Sequence, residues 1–258
     1  MQDQSLITSR LFFGAAFPVM RAVLEYDSVM AEKFKDVSAT VQIGAKDQRF
    51  GLIACHLVFD DLKLDIVDGS AENPDIALTF SSLDKMNAMF KGGFSVPQIK
   101  GFSKPRLLLK ILSLLMSLKL MLPSTRPKDP EKQALKVRMS LYMITRALSV
   151  ANKMGMPDIV EWTKRQPDRI YQFSVEASGI AAYLRVKAGK TKSGHGIYQR
   201  RSPFVLFRFM SVEGALKVLL KEVAFVSGVE QGCVEIVGSP EYASQLNDLM
   251  AMLQGMLT

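Results

Sequence analysis

The pattern of apolar and polar positions contains one arrangement twice, half a chain apart. Residues 73–91 and 202–222 each predict a short apolar strand, a serine N-cap with a carboxylate two positions later, and a helix with one apolar face. Serine at an N-cap satisfies free backbone N–H groups, and an acid in the first turn suits the helix dipole. The corresponding residues are Pro74 and Pro203, Ile76 and Val205, Leu78 and Phe207, Phe80 and Phe209, Ser82 and Ser211, and Asp84 and Glu213. The repetition predicts two related units and one function that both could share.

Alternating apolar and polar residues predict most of the remaining strands. The N-terminal segment 5–35 instead has a helical pattern, which Pro18 interrupts. A capping residue followed by proline and glutamate predicts the start of two later helices, at Asp129 and at Ser239. The basic segment 189–196 is predicted to be a flexible hairpin loop. The other predicted strands are 37–43, 49–59, 62–67, 169–175, 180–187 and 233–237.

The segment Arg106–Leu122 is predicted to be a helix that is apolar almost all the way round. Only Lys110, Ser113, Ser117 and Lys119 interrupt its apolar surface, so it lacks the wide polar face of an amphipathic surface helix. It is slightly shorter than the roughly 20 apolar residues of a membrane-spanning helix, and it carries two lysines. Three interpretations stay open: a helix buried between domains, a wall of an apolar ligand cavity, or a helix in a membrane interface whose lysines reach the surface.

Length and composition limit the classes of protein that remain. A chain of 258 residues, 48% of them apolar, is long enough for two globular domains with separate cores. Cys55 and Cys233 have neither metal-binding nor redox spacing, which favours a reduced cytoplasmic setting. The apolar run 11–20 has no basic region before it and contains Pro18, so it is not predicted to be a signal peptide.

The net charge of +8 belongs to the middle of the chain. Between Lys100 and Arg169 there are 15 basic and 5 acidic residues, so this segment alone exceeds the net charge of the protein. Such a concentration favours anionic lipid headgroups, nucleic acid or an acidic partner, with a solvated face as an equal alternative. Nucleic acid ranks last, and we expect no such partner, because no recognition motif and no interleaved exposed aromatic residues are present.

The titratable residues form no pattern typical of catalysis or metal binding. The two histidines, His56 in an apolar strand and His195 in the basic segment, lie far apart in sequence. There is no serine–histidine–aspartate order, no HExxH and no CxxC pair. The Gly-Lys-Thr sequence at 189–191 lacks the earlier glycine of a phosphate-binding loop, because Leu184 stands there. We therefore expect a protein that is not an enzyme and that uses no cofactor or metal ion.

In the first half, residues 74–90 are followed by a strand that ends in Ile99-Lys100-Gly101. In the second half, residues 203–219 are followed by Glu235-Ile236-Val237-Gly238. This order, with an apolar helix after each glycine, resembles the sterol carrier protein type-two (SCP-2-like) lipid-binding family. The resemblance implies an α/β (α+β) fold of two tandem SCP-2-like domains, each a mostly antiparallel sheet covered by helices around an apolar cavity. The implied boundaries are 1–123 for domain one, 124–168 for a linker and connecting helix, and 169–258 for domain two.

The resemblance implies binding and transfer of a hydrophobic lipid, such as a sterol, a fatty acyl chain or an isoprenoid quinone, without covalent chemistry. A cavity for such a tail needs only apolar walls, since each buried methylene contributes about 0.8 kcal/mol. Ordinary core packing is the alternative for every wall residue. The candidate walls of the first unit are Phe80, Met86, Met89, Phe90, Phe94, Leu108, Ile111, Leu112 and Leu115. Those of the second unit are Phe207, Phe209, Leu216, Leu219 and Met250. The candidate membrane-surface contacts are Lys104, Arg106, Lys110, Lys119, Lys132 and Lys136.

The last predicted helix differs between the two units. Gln245, Asn247 and Asp248 give it a polar face in the second unit, whereas its counterpart 106–122 has almost none. We expect the first unit to hold or hand over the lipid and the second unit to support it structurally. The leading interpretation is a cytoplasmic lipid carrier that touches anionic membranes through its basic middle. The alternative is an interaction scaffold or accessory subunit, in which a partner or a homodimer covers helix 106–122.

Overall fold

The chain begins with a helical segment that changes its hydrogen-bond pattern twice. In the computed structural model, which describes residues 4–257, α1 (Gln4–Leu11) continues into a π-helix over Phe12–Ala16 and a 3₁₀ turn over Phe17–Val19. α2 (Met20–Tyr26) follows, and α3 (Ser28–Phe34) begins after a one-residue break. Pro18 lies within the change because it has no N–H for the helical ladder. The predicted interruption at Pro18 is therefore confirmed.

Within the described residues, Gln4–Tyr26 is long and apolar enough to cross a membrane by length and composition alone. Its 23 residues include a window of mean hydropathy 1.3, of which 72% is buried inside the structure. A buried core helix and a signal sequence both satisfy the same criteria, so this property does not distinguish between them.

A five-stranded sheet lies within residues 4–122. Its strands are β1 (Ser38–Asp47), β2 (Gly51–Asp60), β3 (Lys63–Asp68), β4 (Ile76–Phe80) and β5 (Gln98–Lys100). They are arranged as β3-β2-β1-β4-β5, with β1 and β4 parallel and the other neighbours antiparallel. α4 (Leu83–Phe90) connects β4 to β5. α5 (Pro105–Ser117) follows β5 and continues as a 3₁₀ turn over Leu118–Met121.

The second sheet follows two helices, α6 (Pro130–Lys153) and α7 (Pro157–Lys164). Its strands are β6 (Arg169–Val175), β7 (Ala181–Lys187), β8 (Lys190–His195), β9 (Val205–Phe209) and β10 (Val234–Gly238). The helices after β9 are α8 (Val212–Leu219), α9 (Phe225–Glu230) and α10 (Pro240–Leu257). The sheet order is β8-β7-β6-β9-β10, and only β6 and β9 are parallel neighbours.

The two sheets have the same connectivity, and contacts between Cα atoms divide the chain into residues 4–122 and 123–256. In each sheet the first strand is central, pairs antiparallel with the second and parallel with the fourth. The predicted N-caps are confirmed: Ser82 Oγ accepts from the Lys85 N–H at 3.3 Å, and Ser211 Oγ accepts from the Gly214 N–H at 3.0 Å. Two mostly antiparallel sheets with helices confirm the predicted α/β (α+β) fold class.

The prediction of a flexible loop over 189–196 is wrong, because most of it is strand β8, paired along β7. The strands meet at a turn in which Ala188 and Gly189 both have positive φ, 46° and 79°. Two such residues form the tight turn whose twist matches an antiparallel hairpin. The polar composition of β8 concealed the strand, since it lacks the apolar alternation on which the prediction relied.

Candidate lipid-binding site

Two predicted cavity walls of the first unit, Phe80 and Phe90, belong to a cluster of four aromatic rings around Phe90. The ring centroid of Phe90 lies 5.4 Å from that of Phe12, 4.8 Å from Phe17 and 6.2 Å from Phe80. These distances are typical of favourable tilted aromatic pairs. Sequence analysis selected Phe80 and Phe90 but missed Phe12 and Phe17, because their position in a uniformly apolar run gives no sign of which ring they meet. The four rings form an apolar layer between β4, α4 and the N-terminal helical segment.

Two hydrogen bonds, one buried and one partly buried, hold α1 against α4. Ser9 Oγ donates to Asn87 Oδ1 at 2.9 Å, and Asn87 Nδ2 donates to the backbone oxygen of Ser5 at 2.9 Å. Because a buried amide without partners costs free energy, these bonds fix the position of α1 more specifically than apolar contact alone. They keep Phe12 and Phe17 over the end of α4.

The predicted wall residues of α5 lie on one helical face. Leu108, Ile111 and Leu115 are buried, Leu112 is half-buried, and the helix packs against α2 and α3. The opposite face leaves Leu109 68% exposed, with Met116 also exposed. The helix is thus apolar all round in sequence but buried on one side only. On α4, Met86 is buried and Met89 is half-buried.

Phe94 was predicted to line the cavity, and this prediction is wrong in the structure. Its side chain is 93% exposed. Gly92 ends α4 with a φ of 91°, and the chain then runs without regular structure until β5. Phe94 therefore lies in an irregular segment, and no helix or strand of that segment covers its side chain.

A groove of about 550 Å³ lies beside α2, α3 and β3. Its volume is within the range of pockets that hold small ligands. Its lining includes Arg21, Leu24, Leu62, Leu64 and Asp65. Arg21 Nε donates to the Leu64 backbone oxygen at 2.5 Å, and Arg21 Nη2 donates to Asp65 at 2.8 Å. The groove therefore combines leucine walls with a charged rim. It was not predicted from the sequence, because its residues form no local motif.

The segment 94–110 forms what we call the basic apolar surface. Its members are the exposed apolar residues Phe94, Val96, Phe102 and Leu109 and the cations Lys100, Lys104, Arg106 and Lys110. The Lys104 ammonium donates to the Asp75 carboxylate, and this bond holds the pKa of Asp75 below its usual range. Large apolar side chains left in water among cations are typical of an interaction surface.

The structure places the remaining predicted membrane contacts differently. Lys119 is exposed and Lys132 is half-buried, but Lys136 is only 1% exposed, so its assignment to a membrane surface is wrong. Its Nζ donates to the Thr125 backbone oxygen at 2.5 Å. Burial lowers the pKa of Lys136 to about 8, partly offset by the Glu222 carboxylate. The prediction failed because α6 is buried on most of its circumference, including the position of Lys136.

In the second unit, Phe207, Phe209 and Leu216 are buried, and Leu219 and Met250 are half-buried. The ring of Phe207 stacks on that of Phe173 at 4.6 Å with an interplanar angle of 14°, and it lies 5.9 Å from Phe225. Phe173 and Phe225 were not predicted. The rings fill the layer between β6, β9 and α9, as the Phe90 cluster does beside β4.

The described residues contain no group of three or more His, Cys, Asp and Glu side chains placed to hold a metal ion. Burial and the Asp68 carboxylate raise the pKa of the Cys55 thiol, which therefore stays protonated at neutral pH. His195 stacks flat on Tyr142 at 3.7 Å between α6 and β8. His56 Nδ1 lies 3.0 Å from the Gly69 backbone oxygen. The contacts that these three residues make are structural.

Comparison with solved structures found similar folds over part of the chain. Palmitated SCP2L2 from Aedes aegypti is similar over 42% of this chain and 90% of its own, at 20% identity and a TM-score of 0.30. Sterol carrier protein domain 2 of Helicoverpa armigera is similar over 45% of this chain and 89% of its own, at 22% identity and a TM-score of 0.33. The inverting sec-alkylsulfatase Pisa1 from Pseudomonas sp. is similar over 66% of this chain and 30% of its own, at 11% identity and a TM-score of 0.26. No family model and no curated protein matches the chain.

Proposed function

We propose that the protein binds a hydrophobic lipid and presents or transfers it at anionic membrane surfaces, without catalysing a reaction. The basic apolar surface is the observation that carries this proposal. Phe94 and Phe102 offer rings that enter the headgroup region favourably, and the neighbouring cations attract anionic lipids. The apolar ring layers, the groove of about 550 Å³ and the family resemblance of the sequence support the lipid as cargo.

Two measurements test this proposal. The first is native mass spectrometry of the purified full chain, followed by organic extraction and identification of bound lipid. We expect a near-stoichiometric hydrophobic ligand, or saturable uptake of an offered one. A ligand-free mass together with no uptake of sterols, quinones or fatty acids would contradict the carrier function.

The second measurement is flotation with vesicles of neutral lipid, with and without anionic lipid. The double variant Phe94→Ser and Phe102→Ser is expected to lose most of its binding to the anionic vesicles. Phe50 is the matched control, because it is an exposed phenylalanine of the same unit outside the basic apolar surface. Equal losses for Phe50→Ser and the double variant would assign binding to general hydrophobicity and remove the membrane role of the segment.

A second candidate function is an interaction scaffold that uses α5 as a protein interface. The exposure of Leu109 and Met116, seven positions apart on one face, favours it. On this hypothesis the protein forms a homodimer or binds a partner through α5. Light scattering would then report a dimer that Leu109→Ser converts to a monomer, and no lipid would copurify.

A further inference from the structure

The hairpin of β7 and β8 presents cations on the outer face of the second sheet. In its register, Lys187 stands opposite Lys190, and Arg185 stands opposite Lys192. Directly opposite side chains lie on the same face of a sheet, and alternate residues of a strand share that face. The intervening residues of β7 are buried on the other face, against which α6 packs; they are Ala182, Leu184 and Val186.

Two arginines from the segment after β8 join this hairpin. The carboxylate of Asp168 accepts from Arg185 at 2.8 and 2.6 Å, and it pairs with Arg201 at 3.1 Å. The hydrogen bond from Arg185, together with the charges of Arg201 and Lys187, holds the pKa of Asp168 below its usual range. Arg200, the next residue to Arg201, is exposed. We call these six basic residues the cationic sheet face: Arg185, Lys187, Lys190, Lys192, Arg200 and Arg201.

The cationic sheet face places like charges opposite each other. Lys190 and Lys192 are exposed and form no ion pair with any residue that the structure describes. Like charges directly opposite on neighbouring strands lower the stability of a sheet, because the Cβ atoms of such a pair are only about 5 Å apart. The hairpin contains two such pairs side by side, Lys187 with Lys190 and Arg185 with Lys192. An anionic surface that binds across both strands relieves this repulsion.

The first unit shows that the sheet topology does not require these cations. In the registers of the two parallel pairs, Val41 stands opposite Ile76 as Tyr171 stands opposite Val205. The antiparallel registers then align the two hairpins position by position. The counterparts of Arg185, Lys187, Lys190 and Lys192 are Val58, Asp60, Lys63 and Asp65. The same four positions thus hold two acids and one cation in the first unit and four cations in the second.

The side chains around the cationic sheet face favour a lipid surface over nucleic acid. Tyr183 and Tyr198 are half-buried and pack on each other, with ring centroids 5.0 Å apart. They therefore do not form the exposed stacking platform that is typical of single-stranded nucleic-acid binding. Ile197, next to Tyr198, is 52% exposed and offers an apolar side chain to the headgroup region. Cations on neighbouring strands of one sheet face can contact several headgroups of a bilayer together.

From these observations we infer that the cationic sheet face binds the headgroups of anionic lipids. It gives the second unit a membrane contact of its own, made by residues other than those of the basic apolar surface. The inference rests on the proposed membrane role and extends it, because we had expected structural support alone from the second unit. The two contacts differ in kind: the cationic sheet face attracts mainly by charge, whereas the basic apolar surface also inserts aromatic rings.

The test uses full-length protein with Phe94→Ser and Phe102→Ser, which weaken the apolar contact, and vesicles of phosphatidylcholine with and without phosphatidylserine. Adding Lys190→Glu and Lys192→Glu is expected to weaken the remaining binding to the anionic vesicles about tenfold or more at low salt. The same two changes should raise the midpoint of thermal denaturation, because they place acids opposite Lys187 and Arg185. Weaker binding by a more stable protein separates loss of the contact from loss of the fold.

Lys128→Glu and Lys221→Glu are the matched control, since they change the net charge equally at exposed lysines outside the cationic sheet face. An equal loss of binding in this control would overturn the inference in favour of general charge attraction. If Phe94→Ser and Phe102→Ser alone abolish binding at low salt, the inference fails while the proposed membrane role stands. No binding of the unmodified protein to anionic vesicles would overturn both. Tighter binding of single-stranded RNA than of anionic vesicles, lost with Lys190→Glu and Lys192→Glu, would assign the face to nucleic acid and overturn the inference.

Discussion

The charge of Lys136 affects the stability of the second unit. Its ammonium is buried, and its pKa falls from 10.5 to about 8. Below about pH 8 it is protonated in both the folded and the unfolded chain. Between pH 8 and 10.5 the unfolded chain binds more protons, so this residue makes the free energy of unfolding rise with pH. The acidic partner Glu222 reduces the penalty but does not remove it.

We therefore expect Lys136→Met to raise the free energy of unfolding at pH 7 by about 1–3 kcal/mol, because it removes a buried charge and loses one hydrogen bond. The variant should also lack part of the rise between pH 8 and 10. Urea denaturation at pH 7, 8, 9 and 10 measures both effects, with the half-buried Lys132→Met on the same helix as control. Identical pH slopes for the protein and Lys136→Met would show that the lysine is not strained by burial.

Gly101, which follows β5, and Gly238, the last residue of β10, have equivalent roles in the two units. Their φ values are 98° and 108°, and a Cβ would lie 2.1 Å from the backbone oxygen of Asp75 or Phe204. Gly101→Ala should lower the free energy of unfolding by about 3 kcal/mol or more, since strain and close approach add. Gly69→Ala is the control, because its φ of 95° is similar but nothing lies within 4 Å of its Cβ position. If Gly101→Ala and Gly69→Ala lower the free energy of unfolding equally in chemical denaturation, the close approach of the Cβ to the Asp75 oxygen contributes nothing.

At the scale of elements, α5 has two apolar faces with different roles. Ile111→Ala should lower the free energy of unfolding by about 2–5 kcal/mol, because it opens a cavity in a buried face. Leu109→Ala should change it by less than about 0.5 kcal/mol and yet weaken binding to anionic vesicles. Thermal denaturation and vesicle flotation measure the two effects separately. A large loss of stability in Leu109→Ala would assign that face to the core.

Local signals predicted the elements that depend on local chemistry. Ser82 and Ser211 predict the starts of their helices because an N-cap hydrogen bond joins residues only three positions apart. The strand β8 escaped prediction because its turn, Ala188-Gly189, is not a strong hairpin sequence and its residues are polar.

At the scale of the whole molecule, the basic middle predicted from the sequence is only partly available to a membrane. Arg126 is bound by Glu213 and Glu222, Arg165 pairs with Glu161, and Lys136 is buried. Of the basic apolar surface, Lys104 pairs with Asp75, whereas Lys100 and Arg106 are exposed in a segment that also exposes apolar side chains. The number of basic residues in this segment therefore overstates the charge available to a partner, since pairing and burial are set by the fold.

The combination of charge and apolar groups predicts a specific salt dependence for the full-length protein. The Debye length falls from about 10 Å at 0.1 M salt to about 3 Å at 1 M. The attraction between cations and anionic lipids should therefore weaken strongly over this range. The apolar contribution of Phe94 and Phe102 is not screened, and some binding to anionic vesicles should remain at 1 M. Vesicle flotation at several salt concentrations separates the electrostatic from the apolar contribution to binding. A parallel binding assay with double-stranded DNA tests nucleic acid as the partner. Complete loss at 1 M would reduce the interaction to charge alone, and DNA binding of equal strength would replace the membrane by nucleic acid as the partner of the basic residues.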